Sequence, residues 1–319
     1  MPSVSYRGER VELEAGESVL DALLRAGFEV PSSCRAGACQ ACVLRAENGE
    51  PGAEAQVGLR PAQRDLGCFM SCMARPSEDL EIAEAGLPSS KVRLLDVLGW
   101  GGEIFRIRLE VPLGFAYRGG QYVQLVRPGA LIRAYSLASH PEDPWLELHV
   151  RNHPHGKMSG WLTSAEPGAE LEVRGPAGDC YYQAEDPNQP LVLVGMGTGM
   201  SPIYAVLRDA LRAAHRGTIT VIQGARTTDE LYLEAELEAL GSARNVTLIR
   251  CALEGPPGDP RIGDAVERTL EACPSFKGCR VFLCGGAAQV NALKRQAFLR
   301  GARLQEISSD PFISGAVSA

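Results

Sequence analysis

Five of the ten cysteines crowd between Cys34 and Cys72, and three of them stand as Cys34-x4-Cys39-x2-Cys42. After 29 residues comes Cys72, with Cys68 four positions before it. Two irons bridged by two sulfides need four thiolates within a few ångströms. One tight loop can supply three, and the fourth must return from elsewhere; the spacing here is one that [2Fe–2S] sites use. Small residues between the ligands (Ala36, Gly37, Ala38, Ala41) leave backbone N–H groups free to point at sulfur and tune the potential. Zinc is the competing metal, but structural zinc sites favour paired C-x2–4-C knuckles, and no histidine lies nearby. The spacing leaves both Cys68 and Cys72 open as the fourth ligand.

A second group of residues could bind flat, phosphorylated ligands. In Arg133-Ala-Tyr135-Ser136-Leu-Ala-Ser139 an arginine can pair with a pyrophosphate, a ring can stack on a heterocycle and a hydroxyl can hydrogen-bond to it. Read alone, the alternation is equally an ordinary strand. Downstream, His149-Val150-Arg151 precedes Gly156-Lys157-Met158-Ser159, a glycine and a serine that open a helix, and a helix N-terminus suits phosphate. His153 and His155 in the same loop read as solvated.

The third group is Gly195-Met-Gly197-Thr198-Gly199-Met-Ser-Pro202, where glycines let backbone approach a pyrophosphate and Pro202 suits a first helical turn. This G-x-G-x-G differs from the Rossmann G-x-G-x-x-G, and such a turn can also serve packing alone. Gly224-Ala-Arg226-Thr-Thr-Asp229-Glu-Leu-Tyr232 then falls where an adenosine ribose would lie. Arg226 suits a 2′-phosphate, but Asp229 and Glu230 disfavour an added dianion, so NADH is expected rather than NADPH. Leu283-Cys284-Gly285-Gly286 ends a strand at the edge where such ligands bind, with a purely structural buried Cys284 as the alternative. Ser309-Asp310-Pro-Phe312 closes the fold.

Elements that could position these groups follow from the patterning. Val11–Leu13 predicts a strand, and Ser18-x-x-Asp21 a capping box opening a helix with Val19, Leu20, Leu23 and Leu24 inward and Gly27 just past its end. A short strand around Val43 and an alternating Leu80-Glu-Ile82 complete the first segment, with a linker over Glu84–Lys91. Strand-like runs at Val92–Val97, Ile104–Val111, Tyr122–Val126, Tyr135–Ala138, Leu146–Val150 and Leu171–Val173 predict an antiparallel barrel or sandwich. From Leu191, apolar strands alternate with helices, the pattern of a parallel α/β sheet.

Composition narrows the function. The 319 residues carry 32 Lys+Arg against 39 Asp+Glu, a net charge of −7, which argues against nucleic-acid binding. Through Gly86 there are 8 basic and 14 acidic residues, a net of −6, marking a distinct acidic module. No apolar run approaches membrane-spanning length, and the acidic N-terminus lacks a signal-peptide core. A cytoplasmic protein with reduced thiols and no membrane partner is expected.

The segment Gly67-Cys-Phe-Met-Ser-Cys72-Met-Ala-Arg-Pro76 resembles the one around the last ligand of plant-type ferredoxins. That resemblance implies Cys34, Cys39, Cys42 and Cys72 as cluster ligands and Cys68 as a small buried residue. Arg133–Ser139 resembles the flavin strand of the ferredoxin–NADP reductase superfamily. In this order, the three groups resemble the reductase components of bacterial multicomponent oxygenases, which serve aromatic-ring dioxygenases and di-iron monooxygenases. The resemblance implies a β-grasp ferredoxin domain over 1–86, a six-stranded antiparallel FAD barrel over 87–187 and a parallel α/β NAD domain over 188–319. It assigns Arg133, Tyr135, Ser136, His149, Val150 and Gly156 to Ser159 to the flavin. Gly197, Thr198, Gly199, Arg226 and Asp229 fall to the dinucleotide, and Ser136, Cys284, Asp310 and Phe312 to the reacting rings. Gln40 departs from a frequent glycine, and the tail 313–319 runs past the usual aromatic end. The implied path runs from NADH through FAD and the [2Fe–2S] cluster to an external protein acceptor, an oxygenase, with the chain a monomer. A dehydratase acceptor, as in deoxysugar biosynthesis, and a non-catalytic electron-carrier or redox-sensing adaptor are the rival readings.

Overall fold

The structure, a computed structural model, describes residues 2–32, 35–37, 40–127, 131–183 and 186–312. Two compact units divide the chain, 1–88 and 89–319.

The first unit is built on strands β1 (Ser3–Tyr6), β2 (Glu9–Glu12), β3 (Val43–Asn48), β4 (Cys68–Met70) and β5 (Leu80–Glu84), in the order β2-β1-β5-β3-β4. Only the β1–β5 pairing is parallel. Helix α1 (Val19–Arg25) starts at Ser18, whose hydroxyl accepts from the Asp21 N–H and donates to the Asp21 carboxylate at 2.6 Å. Its buried face of Val19, Leu20, Ala22 and Leu23 joins Val4, Tyr6, Leu44, Phe69 and Leu80 in one core. Each such large apolar side chain removed from water contributes roughly 1.5–3 kcal/mol. A short helix α2 (Pro61–Asp65) leads into β4.

The second unit opens with β6 (Ser89–Gly101), which begins earlier than its apolar run predicts. Ser89, Ser90 and Lys91, expected in a linker, pair instead with β11 (Glu170–Ala177), and β5 extends to Glu84. The connection shrinks to 85–88. With β7 (Ile104–Leu109), β8 (Tyr122–Arg127), β9 (Leu131–Ser136) and β10 (Leu146–Arg151), these strands form an antiparallel sheet ordered β10-β7-β6-β11-β8-β9. A bridge between Leu137 and Leu148 closes it into a barrel. Helix α3 (Lys157–Ser164) packs Met158 and Leu162 into the barrel core.

A parallel sheet ordered β14-β13-β12-β15-β16 follows: β12 (Leu191–Met196), β13 (Ile219–Thr227), β14 (Val246–Glu254), β15 (Arg280–Gly286) and β16 (Ile307–Phe312). Helices α4 (Met200–Arg212), α5 (Glu234–Gly241), α6 (Ala265–Ala272) and α7 (Ala287–Leu299) connect the strands. Its central strands β12, β13 and β15 are largely apolar on both faces, as burial between helices demands. Among the described residues no helix is long and apolar enough to cross a membrane.

Candidate functional site

Cys34, Cys39 and Ala38 lie outside the described residues. The rest of the cysteine site is tightly built. Ser71 donates both its N–H (3.1 Å) and its hydroxyl (2.8 Å) to the Cys42 carbonyl, so the backbone beside Cys72 is fixed against Cys42. The first N–H groups of α1 donate to the carbonyls of Ser71 and Ala74, either side of Cys72, each at 3.0 Å. Cys42 and Cys72 are both buried. Gly37 lies against Met73 and Met70, which brings the loop over the Cys72 segment. Arg35, Gly37 and Gln40 adopt positive φ (50°, 72° and 57°).

Gln40 bears the left-handed conformation, and its side-chain amide donates to the Gly58 carbonyl at 3.0 Å, tying the loop down. Cys68 sits elsewhere. It faces Arg45 across the β3–β4 ladder, three residues along β3 from Cys42, or about 10 Å at strand rise. Burial pushes its thiol pKa up, and the Gln56 amide donates to its carbonyl. A soft cluster fits the thiols of Cys42 and Cys72 at one end of the ladder better than Cys68 at the other.

In the second unit, Ser136 ends β9 and is buried. Its hydroxyl donates to an Asp310 carboxylate oxygen at 3.3 Å, and its carbonyl accepts from the Ser201 hydroxyl at 3.0 Å. Asp310 lies opposite Cys284 in the β15–β16 register, and Phe312 opposite Gly286. Burial raises the Asp310 carboxyl pKa against the lowering effect of Ser136, and burial drives the Cys284 thiol far up. The Cys180 sulfur lies 3.2 Å from that of Cys284. A Cβ on Gly199 would overlap the Cys284 carbonyl, so only glycine lets the Gly197–Gly199 turn sit on the end of β15. Ser136, Asp310, Cys284 and the glycine turn therefore converge, and α4 starts directly on the flavin-motif strand.

The remaining predicted residues are distributed differently. Tyr135 is half-buried against the barrel core, with burial raising its pKa to about 12. Arg133 is exposed and its guanidinium donates to the Ile132 carbonyl, leaving most of its donors for a ligand. Val150 and Met158 are core side chains, so any part they take in holding a flavin falls to their backbone. Lys157 is exposed, while Ser159 accepts from the His153 N–H at 3.2 Å and so shapes the turn at Gly156. His149 does not present its ring to a ligand: both nitrogens are taken, by Glu147 (3.2 Å) and Tyr232 (3.1 Å). Asp229 is exposed and Arg226 mostly so.

The residue that organises the turn after β13 is Glu230. It is buried, receives two hydrogen bonds from Arg151 (2.8 and 2.9 Å), and accepts from both the N–H and the guanidinium of Arg226 (3.3 and 3.1 Å). The Arg151 guanidinium lies beside Gly197. Sequence reading missed Glu230 as a clasp because its partner is 79 positions away. Ser201 carried only the signal of belonging to the glycine-turn segment.

Three family models match the chain: a 2Fe-2S iron-sulfur cluster binding domain over residues 4–77, an oxidoreductase FAD-binding domain over 91–182 and an oxidoreductase NAD-binding domain over 193–295. The chain is 34% identical over 307 residues to the reductase subunit of an aromatic O-demethylase from Amycolatopsis sp., covering 91% of this chain and 92% of that protein. Over 321 residues it is 27% identical to the ferredoxin–NAD(P)+ reductase component of the naphthalene 1,2-dioxygenase system of Pseudomonas putida, covering 96% and 97%. The crystal structure of the Amycolatopsis reductase GcoB superposes with a TM-score of 0.67 at 31% identity, over 98% of this chain and 99% of that one.

Proposed function

This chain belongs to the family of iron–sulfur flavoprotein reductase components of oxygenase systems, and from that premise we propose that it takes electrons from NADH through FAD to a [2Fe–2S] cluster and on to an oxygenase partner. The observation that carries the reading is the hydrogen bond from Ser201 to the Ser136 carbonyl. It starts the helix of the dinucleotide turn on the strand of the flavin motif, so donor and acceptor rings bound at the two motifs would meet.

FAD, when bound, takes up a hydride as two electrons and releases them singly, which a one-electron cluster requires. The chain's own residues bind and orient. Arg133 and the turn at Gly156–Ser159 would hold flavin phosphates, Tyr135 would pack along the ring system, and Ser136 would hold a hydrogen bond at the reacting edge. Gly197–Gly199 would admit the dinucleotide pyrophosphate. Asp310 keeps the Ser136 hydroxyl oriented, and buried Cys284 shields that end of the site from water. Cys42 and Cys72, with Cys34 and Cys39, would hold the cluster.

Charge favours NADH over NADPH: Arg226 and Arg151 share Glu230, and Glu254 lies 3.8 Å from Arg226, so two carboxylates already balance two guanidinia and leave little attraction for a 2′-phosphate. We place the domains over 1–86, 87–187 and 188–319, a division that the grouping of the strands into three sheets supports. The acceptor is of the kind that the relatives serve, an aromatic dioxygenase or an O-demethylase. Anaerobic stopped-flow mixing with NADH and with NADPH is the test. Rapid flavin bleaching by NADH, and much slower bleaching by NADPH, is expected; no bleaching by either would overturn the assignment.

A further inference from the structure

Between the barrel and the nucleotide sheet lies a buried set of polar and aromatic groups that the proposed electron path does not use. His149 has a side chain with no exposed surface, and the Glu147 and Tyr232 side chains beside it are buried too. Trp100, from the end of β6, packs edge-on to His149 (ring centroids 4.9 Å) and tilted against Tyr232 (5.1 Å). His149 and Tyr232 themselves meet edge to face at 5.2 Å.

The proton arrangement follows from the partners. Burial lowers the His149 pKa, so its ring is neutral, with one donor and one acceptor nitrogen. A carboxylate can only accept, so the nitrogen facing Glu147 carries the proton, and Tyr232 donates its hydroxyl to the other. Arg108 completes the row by donating to Glu147 at 3.1 Å. The Tyr232 hydroxyl and the His149 Nδ1, which burial would penalise if unpaired, thus satisfy each other between the barrel and the nucleotide sheet.

Each end of this bond is anchored. The Tyr232 carbonyl accepts from the Gln223 amide on β13 (2.8 Å), and Arg250 on β14 holds both the Leu231 carbonyl and Gln223. His149 lies on β10, the strand that runs directly into the turn at Gly156. Alongside the Arg151–Glu230 pair from the same strand, this bond therefore couples the nucleotide sheet to the strand leading to the candidate flavin-phosphate site.

We propose that His149 and Tyr232, braced by Trp100, form a buried latch that sets the spacing of the two domains for hydride transfer. They are positioning residues, and the inference rests on the NADH–flavin reading. Apolar packing would hold the domains together equally well; a directional hydrogen bond fixes their register, and reacting atoms misplaced by about an ångström cost large factors in rate.

Tyr232→Phe, in the full chain with its FAD and cluster, keeps the ring and removes only the bond. Flavin reduction at saturating NADH should slow about tenfold. The NADH concentration for half-saturation should change less than twofold, and flavin content should stay at the wild-type level. Backbone amides of Thr228–Glu230 and of β10 should exchange faster. His149→Asn should act alike, and the double variant should lose no more than either single one. An unchanged limiting rate, a loss expressed wholly in NADH affinity, loss of FAD, or multiplicative effects in the double variant would each overturn the latch. If the wild type itself fails to bleach with NADH, the functional reading is at fault, while the exchange measurement still reports on the latch.

Discussion

Ser136 gives its hydroxyl to Asp310 and its carbonyl to Ser201, so one residue joins flavin strand, terminal strand and dinucleotide helix. Removing a positioned hydrogen bond at a reacting ring costs on the order of 1–3 kcal/mol of barrier. Ser136→Ala should therefore slow stopped-flow reduction about tenfold with flavin content intact, and a wild-type rate would reduce Ser136 to a strand residue. Asp310 makes a separate prediction. Its folded-state pKa is raised by burial, so the folded protein holds a proton that the unfolded chain has released, and stability declines as pH rises through that window. Asp310→Asn lacks this loss. Its melting temperature should exceed that of wild type most at neutral pH, with the gap closing as pH falls into the ordinary carboxylate range. A gap independent of pH would show that Asp310 is not the titrating group. Ser136, Cys284 and Asp310 were legible because motif and position flagged them. Glu230 and Tyr232 were not, since their meaning lies in partners 79 and 83 positions distant, which no local pattern encodes.

Among the elements, capped and periodic segments were the readable ones: α1 begins at Ser18, and Gly27 follows its end with φ +88°. Strand β4, with only Cys68 to Met70, is too short to show alternation, and it is made by pairing with β3. Ser89–Lys91 looked like linker because it is polar, yet backbone pairing to β11 needs no apolar side chain. The glycine turn offers an element-level prediction. A methyl at position 199 collides with backbone of β15, which cannot swing aside as a side chain can. Gly199→Ala should cost roughly 1–3 kcal/mol in the second unit and weaken NADH use, while the cluster's visible spectrum is unchanged. Unaltered stability and NADH kinetics would mean that the turn has room to spare.

At the scale of the whole molecule, the two compact units and their unequal charge shape the account. A net of −6 on the first 86 residues would steer an acceptor with a basic surface, and salt would screen such steering beyond about 8 Å at physiological ionic strength. Delivery to the partner should slow with added salt while reduction of the flavin by NADH does not; equal salt dependence would remove electrostatic steering from the picture. If electrons pass in the order NADH, flavin, cluster, acceptor, Cys72→Ser should break the path at the cluster, with Cys68→Ser as its control. Cys72→Ser should lose the cluster's visible absorption, keep NADH-driven ferricyanide reduction by the flavin, and fail to reduce cytochrome c or the partner; Cys68→Ser should retain the absorption and both reductions. Loss of ferricyanide reduction together with the cluster, or a cluster that survives Cys72→Ser and disappears in Cys68→Ser, would contradict that path.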